Sequence, residues 1–210
     1  MIPDILRFWG ANPTAQAALP WIIGVFVVAY LLGSIPFGLL LAKVFKLGDL
    51  RSIGSGNIGA TNVLRTGSKK AALATLVLDS GKGAFAVLAA NYFLGDTAGQ
   101  FAALGAFLGH LFPIYIGFKG GKGVATFLGI LLALNFWAGL ATCATWLAVA
   151  VVFRISSLSA LIAAVLAPVW LYFLGYPQGV WLAVLLAITI WAKHHANIRR
   201  ILNGTESRIG

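Results

Sequence analysis

The sequence predicts an all-α integral membrane protein with seven transmembrane helices, and three observations carry that prediction. Of its 210 residues, 60% are hydrophobic and only 10% charged, whereas soluble domains run about 25% charged and 45–50% apolar. The apolar residues stand in continuous runs, not in the alternating pattern of a membrane β-barrel. Most of the 15 Lys and Arg residues, set against five acids, collect on one side of the membrane when seven spans are counted. This composition excludes a soluble globular enzyme and a disordered chain. The single cysteine, Cys143, excludes an intrachain disulfide.

The elements follow in order. Residues 1–19 carry Asp4 and Arg7 among Pro3, Gly10, Asn12 and Pro13. They lack the basic start of a secretory signal and read as an interfacial segment. Trp21 to Ala42 is the first span, and 43–70 the first cytoplasmic loop. Ala71 to Leu94 is the second span, interrupted by Asp79 and Lys82; Ala98 to Phe118 is the third. Val124 to Val152 is 29 residues without a charge, long for one tilted helix and short for two. Splitting it at Asn135 gives short spans four and five. Leu158 to Leu174 and Gly179 to Ala192 complete the set.

With the N-terminus outside, the inner loops 43–70, 119–123, 153–157 and 193–210 hold 13 of the 15 cations. Six spans would turn Arg154 and the C-terminal cations outward, against the positive-inside rule. The whole chain, 1–210, is thus one polytopic domain with its C-terminus in the cytoplasm and its polar motifs on one face.

Those motifs suggest anion binding. Gly54-Ser55-Gly56-Asn57-Ile58-Gly59-Ala60-Thr61-Asn62-Val63-Leu64-Arg65 combines glycines that permit close backbone approach, amide and hydroxyl donors, and a guanidinium suited to bidentate binding. A flexible loop explains the glycines but not Asn57, Asn62 and Arg65. Gly120-Gly121-Lys122-Gly123 opens an apolar helix, so amides and a lysine face any anion in the loop. It is not a Walker A loop: Ile116 holds the first glycine position and Gly123 replaces the hydroxyl residue. An ATPase is therefore excluded.

Asp79 and Lys82 share a helix face and form either a structural ion pair or part of a site. His110, in Gly109-His110-Leu111-Phe112-Pro113, is a packing element or a site group, and Gly105 with Gly109 makes a small-xxx-small contact. Ser156 and Ser157 open the sixth span, as helix caps or as phosphate donors. His194 and Asn197 lie three apart at the end of the seventh. No metal-ligand spacing is present, and no acid is placed to orient a histidine in a triad.

Together these segments, GSGNIGATNVLR, DSGKG, GHLFP, GGKGVAT, SSLS and HxxN, resemble the bacterial acyl-phosphate:glycerol-3-phosphate acyltransferase family over about residues 21–202. The resemblance implies an inner-membrane enzyme with its site on the cytoplasmic face. It implies transfer of a fatty acyl group from acyl phosphate to the 1-hydroxyl of sn-glycerol 3-phosphate, giving lysophosphatidic acid and phosphate, the first committed step of phospholipid synthesis. Its partners would be those two substrates and membrane lipid, with no cofactor, metal or nucleic acid, and the chain is expected as a monomer. The His-x4-Asp pattern of other glycerolipid acyltransferases is absent, since Tyr115, Arg199 and Arg200 stand five after the histidines.

From this follow the expected roles. Ser55, the amides of Gly54, Gly56, Gly121 and Gly123, Lys122 and Ser157, with Ser156 beside it, hold the acyl-phosphate phosphate. Arg65, Lys82, His194 and Asn197 hold glycerol 3-phosphate, Thr61 and Asn62 orient the loop or the hydroxyl, and Asn57 is a further substrate contact; His194, Asn197 and Ser55 are the catalytic candidates. The two subsites are exchangeable. His194 is one candidate base, and the acyl phosphate's own oxygen, the favoured route, is the other. A transporter of phosphate or an organic phosphate is the rival reading, although no internal repeat is seen.

Overall fold

The computed structural model describes residues 15–209. The expected interfacial character of 1–19 therefore falls mostly outside the described residues, and 15–19 belong to the first helix. Ten α-helices and three short 3-10 turns make up the regular structure of the described residues, with no strand among them. They are α1 (Ala15–Gly33), α2 (Phe37–Val44), α3 (Ala60–Leu64), α4 (Lys69–Leu94) and α5 (Asp96–Leu111), then α6 (Val124–Leu134), α7 (Phe136–Phe153), α8 (Ser156–Phe173), α9 (Val180–Lys193) and α10 (His195–Leu202).

Five segments are long and apolar enough to cross a bilayer: Ala18–Val44, Lys69–Leu94, Asp96–Ile116, Phe136–Phe153 and Ser156–Phe173. A sixth counts α9 and α10 together across a 63° bend at His194. The first is broken between α1 and α2 at Pro36, which has no N–H and disfavours helix in the residue before it. The 29-residue run does divide at Asn135, whose side chain accepts from Ala138 N at 2.9 Å and starts α7. The division is uneven. Only α6 is short, at 11 residues, whereas α7 has 18, so the expectation that both halves are short is corrected.

Lipid tails are as apolar as leucine, so helices associate through close packing and small residues. The contact between α1 and α5 depends on this. A Cβ on Gly105 would lie 2.4 Å from the Phe26 carbonyl, and one on Gly109 2.2 Å from that of Tyr30. Between α4 and α6, a Cβ on Gly129 would meet the Ser80 carbonyl at 2.1 Å. The common core joins Val87, Phe107, Leu111, Phe127, Ile130, Leu171, Leu182 and Ile190 from five helices. Large apolar residues such as Leu73, Phe85, Val151, Val152 and Phe173 face outward, a surface suited to lipid and not to water.

At one end of the bundle the starts of α4, α6 and α8 meet the ends of α5 and α9 around a single hollow. The chain after α10 folds back beside it. Ile209 N donates to the Arg154 carbonyl at 2.6 Å, and Arg154 Nη2 to the Ile209 carbonyl at 3.1 Å.

Candidate active site

The hollow has a volume of about 450 Å³ and draws on all four segments expected on the inner face. One part is polar: Ser55, Asn57, Thr61, Asn62, Arg65, Lys122, Gly123, Ser156, Ser157, His194 and Asn197 all line it. The other is apolar, walled by Leu73 and Leu76 of α4, Leu128 of α6, Cys143 and Trp146 of α7 and Ala160 of α8. A cavity of this kind suits a ligand with an anionic head and an apolar tail.

The first loop is organised from Asn62, which is 1% exposed. Its Nδ2 donates to the Leu50 carbonyl at 2.8 Å, while its Oδ1 accepts from Ser55 N at 3.1 Å and Arg65 Nη1 at 3.3 Å. One amide thus sets both Ser55 and Arg65. Gly54 has a φ of +53°, and a Cβ on it would lie 2.6 Å from Asn62 Oδ1 and 2.7 Å from Arg65 Cδ. Gly54 and Gly56 shape the loop without lining the cavity. Thr61 and Ser156 hydroxyls lie 3.2 Å apart and tie this loop to α8.

Lys122 reaches across to Asn197, donating its ammonium to Oδ1. Asn197 Nδ2 in turn donates to Glu206 Oε1 at 2.6 Å, as does the Ser157 hydroxyl at 2.9 Å. Arg200 Nε holds Glu206 Oε2 at 2.6 Å, and Arg65 Nη2 donates to Ser207 Oγ at 2.5 Å. Burial pushes the Lys122 ammonium down to about 8, against the pull of Glu206 and with the push of Arg200 and Arg65. Burial alone would raise the Glu206 carboxyl, but the hydrogen bonds from Asn197, Arg200 and Ser157 outweigh it and hold it below its usual value. Lys122 also lies in one cluster with Asn197 and Ser157. The sequence reading had assigned Lys122 and Asn197 to different phosphates.

His194 is 3% exposed, and its Nδ1 lies 2.8 Å from the Ile190 carbonyl. With a neutral ring, Nδ1–H donates to that carbonyl and Nε2 is left as an acceptor. No carboxylate is hydrogen-bonded to it among the described residues. Its place beside Asn197 follows from their spacing, although the helix breaks at His194 itself.

Lys82 and Gly121 stand off the cavity wall. The Lys82 ammonium lies 2.9 Å from Asp79 Oδ1 and donates to the Ile35 carbonyl at 2.8 Å, with only 4% of the residue exposed. Of the two readings open for this pair, the geometry is that of a buried ion pair, with Asp79 and not Lys82 on the wall. The serines of α8 do not cap it: Ile155 precedes the helix with no side-chain cap, and both hydroxyls turn to the cavity.

Polar lining residues outside the expected set include Lys69, Asp79, His110, Glu206 and Ser207. Asp79 Oδ1 lies 3.6 Å from His110 Nδ1, so an acid does stand beside a histidine, contrary to expectation. Asp79 and His110 are 31 residues apart in sequence, beyond the reach of any local spacing. For Glu206 one signal was legible, a lone acid among Arg199, Arg200 and Arg208.

Known proteins place the chain in a family. A family model described as glycerol-3-phosphate acyltransferase matches residues 23–204. A glycerol-3-phosphate acyltransferase of Cereibacter sphaeroides is 61% identical over 198 residues, 94% of each chain. A crystal structure of PlsY (YgiH), an integral membrane glycerol 3-phosphate acyltransferase in its glycerol 3-phosphate form, superposes with a TM-score of 0.86 at 39% identity, covering 90% of this chain and 96% of that one. Its lysophosphatidic acid form gives 0.82 at 37%, with the same coverage. A family match across most of the chain, together with a cavity that pairs polar and basic side chains with an apolar wall, leads to one conclusion: the chain belongs to the glycerol-3-phosphate acyltransferase family of integral membrane proteins.

Proposed function

We propose that this protein transfers a fatty acyl group from acyl phosphate to the 1-hydroxyl of sn-glycerol 3-phosphate, releasing lysophosphatidic acid and inorganic phosphate. The observation that carries the reading is the single cavity with two sets of anion ligands at one end and an apolar wall at the other. Arg65 and Ser55 form one set; Lys122, Asn197, Ser157 and His194 form the other. Two phosphates can be held side by side, with the acyl chain along Leu73, Leu76, Leu128 and Trp146.

Acyl phosphate is a mixed anhydride, so phosphate leaves without a covalent enzyme intermediate. Holding both reactants in register supplies up to about 7–11 kcal/mol of the barrier. The attacking hydroxyl loses its proton either to His194 Nε2 or to a phosphate oxygen of the donor. That His194 Nδ1 lies against the Ile190 carbonyl, with no carboxylate hydrogen-bonded to the ring among the described residues, favours the phosphate route. Replacement of His194 by alanine separates the two: a mild loss supports substrate assistance, and a loss of about 10²–10⁴-fold supports a base.

The same reading puts the cavity on the cytoplasmic face of a bacterial inner membrane, in a monomer with seven crossings and the N-terminus outside, α6 making the short fourth crossing. The family assignment and the position of the ligands at one end of the bundle weigh against a transporter, whose sites lie near the midplane. The deciding assay uses purified protein, palmitoyl phosphate and glycerol 3-phosphate, and reads both phosphate and lysophosphatidic acid. Turnover with acyl-coenzyme A but none with acyl phosphate overturns the donor.

A further inference from the structure

His110 is not needed by the binding scheme above, yet it touches the glycine loop twice. Its carbonyl accepts from Gly121 N at 3.1 Å, and the next carbonyl, of Leu111, accepts from Gly120 N at 3.3 Å. These are the orphan carbonyls at the end of α5, so the loop completes that helix. The imidazole makes the second contact. A Cβ on Gly121 would lie 2.3 Å from His110 Nε2, and almost equally far, 3.1 and 3.2 Å, from Cε1 and Cδ2. The ring therefore meets Gly121 end-on.

Its other edge faces the buried pair, with Nδ1 3.6 Å from Asp79 Oδ1, which is itself 2.9 Å from Lys82 Nζ. His110 is 5% exposed and Asp79 2%. The ring is thus braced between α4 and the loop, and the residue after Gly121 is Lys122. The Thr126 hydroxyl donates to the Asp79 carbonyl at 2.9 Å and fixes the helix that the loop opens against the same stretch of α4.

We propose that His110 is a positioning residue for substrate phosphate. Braced by Asp79, its imidazole is the strut that sets the tilt of the glycine loop and so the place of the Lys122 ammonium. The two backbone hydrogen bonds hold the loop near α5 without the ring. Removing the ring leaves the fold standing and the loop slack, which separates positioning from stability. The proposal rests on the reading that Lys122 holds a substrate phosphate. It also explains why position 121 is glycine: any Cβ there collides with the strut.

The test compares wild type with His110→Ala, His110→Gln, Gly121→Ala and the double variant Gly121→Ala/His110→Ala, each purified in detergent. The Kd for inorganic phosphate is read by calorimetry, KM and kcat for both substrates by turnover, and folding by the thermal midpoint. The phosphate titration needs no donor, so an error in the donor assignment cannot pass for an error here. His110→Ala is expected to weaken phosphate binding, and to raise KM for one substrate, by about 10–100-fold, with kcat changed less than about threefold and a cooperative thermal transition kept. His110→Gln, which extends an amide to about the same reach, recovers part of the loss. The double variant binds phosphate better than Gly121→Ala alone, because the collision is gone. Unchanged phosphate affinity in His110→Ala, or fully multiplicative losses in the double variant, overturns the proposal. So does a loss confined to the thermal midpoint.

Discussion

Lys122 donates its ammonium to the side-chain oxygen of Asn197, joining the glycine loop before α6 to the helix after α9. Asn197 in turn donates a hydrogen bond from Nδ2 to Glu206, so the lysine is both bound and left close to an anion it attracts. A hydrogen bond to a charged group contributes about 1.5–3 kcal/mol. Lys122→Ala and Asn197→Ala are each expected to lower kcat/KM about 10- to 150-fold. Because the residues act as one unit, the double variant should lose little more than the worse single one. Losses that multiply in a steady-state double-mutant cycle would show that the two act separately.

The position of Lys122 also sets a pH limit. Burial holds its ammonium at about 8 in the free protein. The charged form binds phosphate, so binding is intact below that value and fades as pH rises through it. The logarithm of kcat/KM should therefore bend downward near pH 8 and fall about tenfold per unit beyond. Lys122→Arg carries a cation that does not titrate in this range, and its profile should stay flat there. A bend at the same pH in the arginine variant would assign it to another group.

Lys82 looked like a phosphate ligand in the sequence, but its ammonium is spent on Asp79 and the Ile35 carbonyl. Removing one member of a buried pair leaves the other charge uncompensated, a cost of about 3–5 kcal/mol. Lys82→Met is expected to lower the thermal midpoint sharply while the folded fraction keeps its KM for both substrates. A variant with an unchanged midpoint and a tenfold higher KM would return Lys82 to the binding site.

Helix contact in the α1–α5 pair predicts a contrast between glycines. Gly109→Leu drives a side chain into the Tyr30 carbonyl, 2.2 Å from the ideal Cβ, and should abolish stable protein in the membrane. Gly24 has nothing within 4 Å of its Cβ position, so Gly24→Ala should be neutral or slightly stabilising, since alanine is the better helix former. The yield of monodisperse protein in detergent decides it; equal yields would remove the close-packing argument.

By itself the sequence determined the helical class, the course of the apolar runs, the break at Asn135 and most of the polar lining. All of these are local: a helix in lipid must satisfy its own backbone, and a glycine-rich loop with cations reads as an anion cradle wherever it folds. Tertiary structure alone decided which cation faces the cavity. Lys82 and Lys122 both sit among glycines, yet the first is paired within α4 and the second faces a cavity. It also brought Glu206 onto Ser157, 49 residues away, and His110 against Gly121. Those contacts rest on how closely two backbones approach, which is a property of the packed pair of segments and is written in neither one alone.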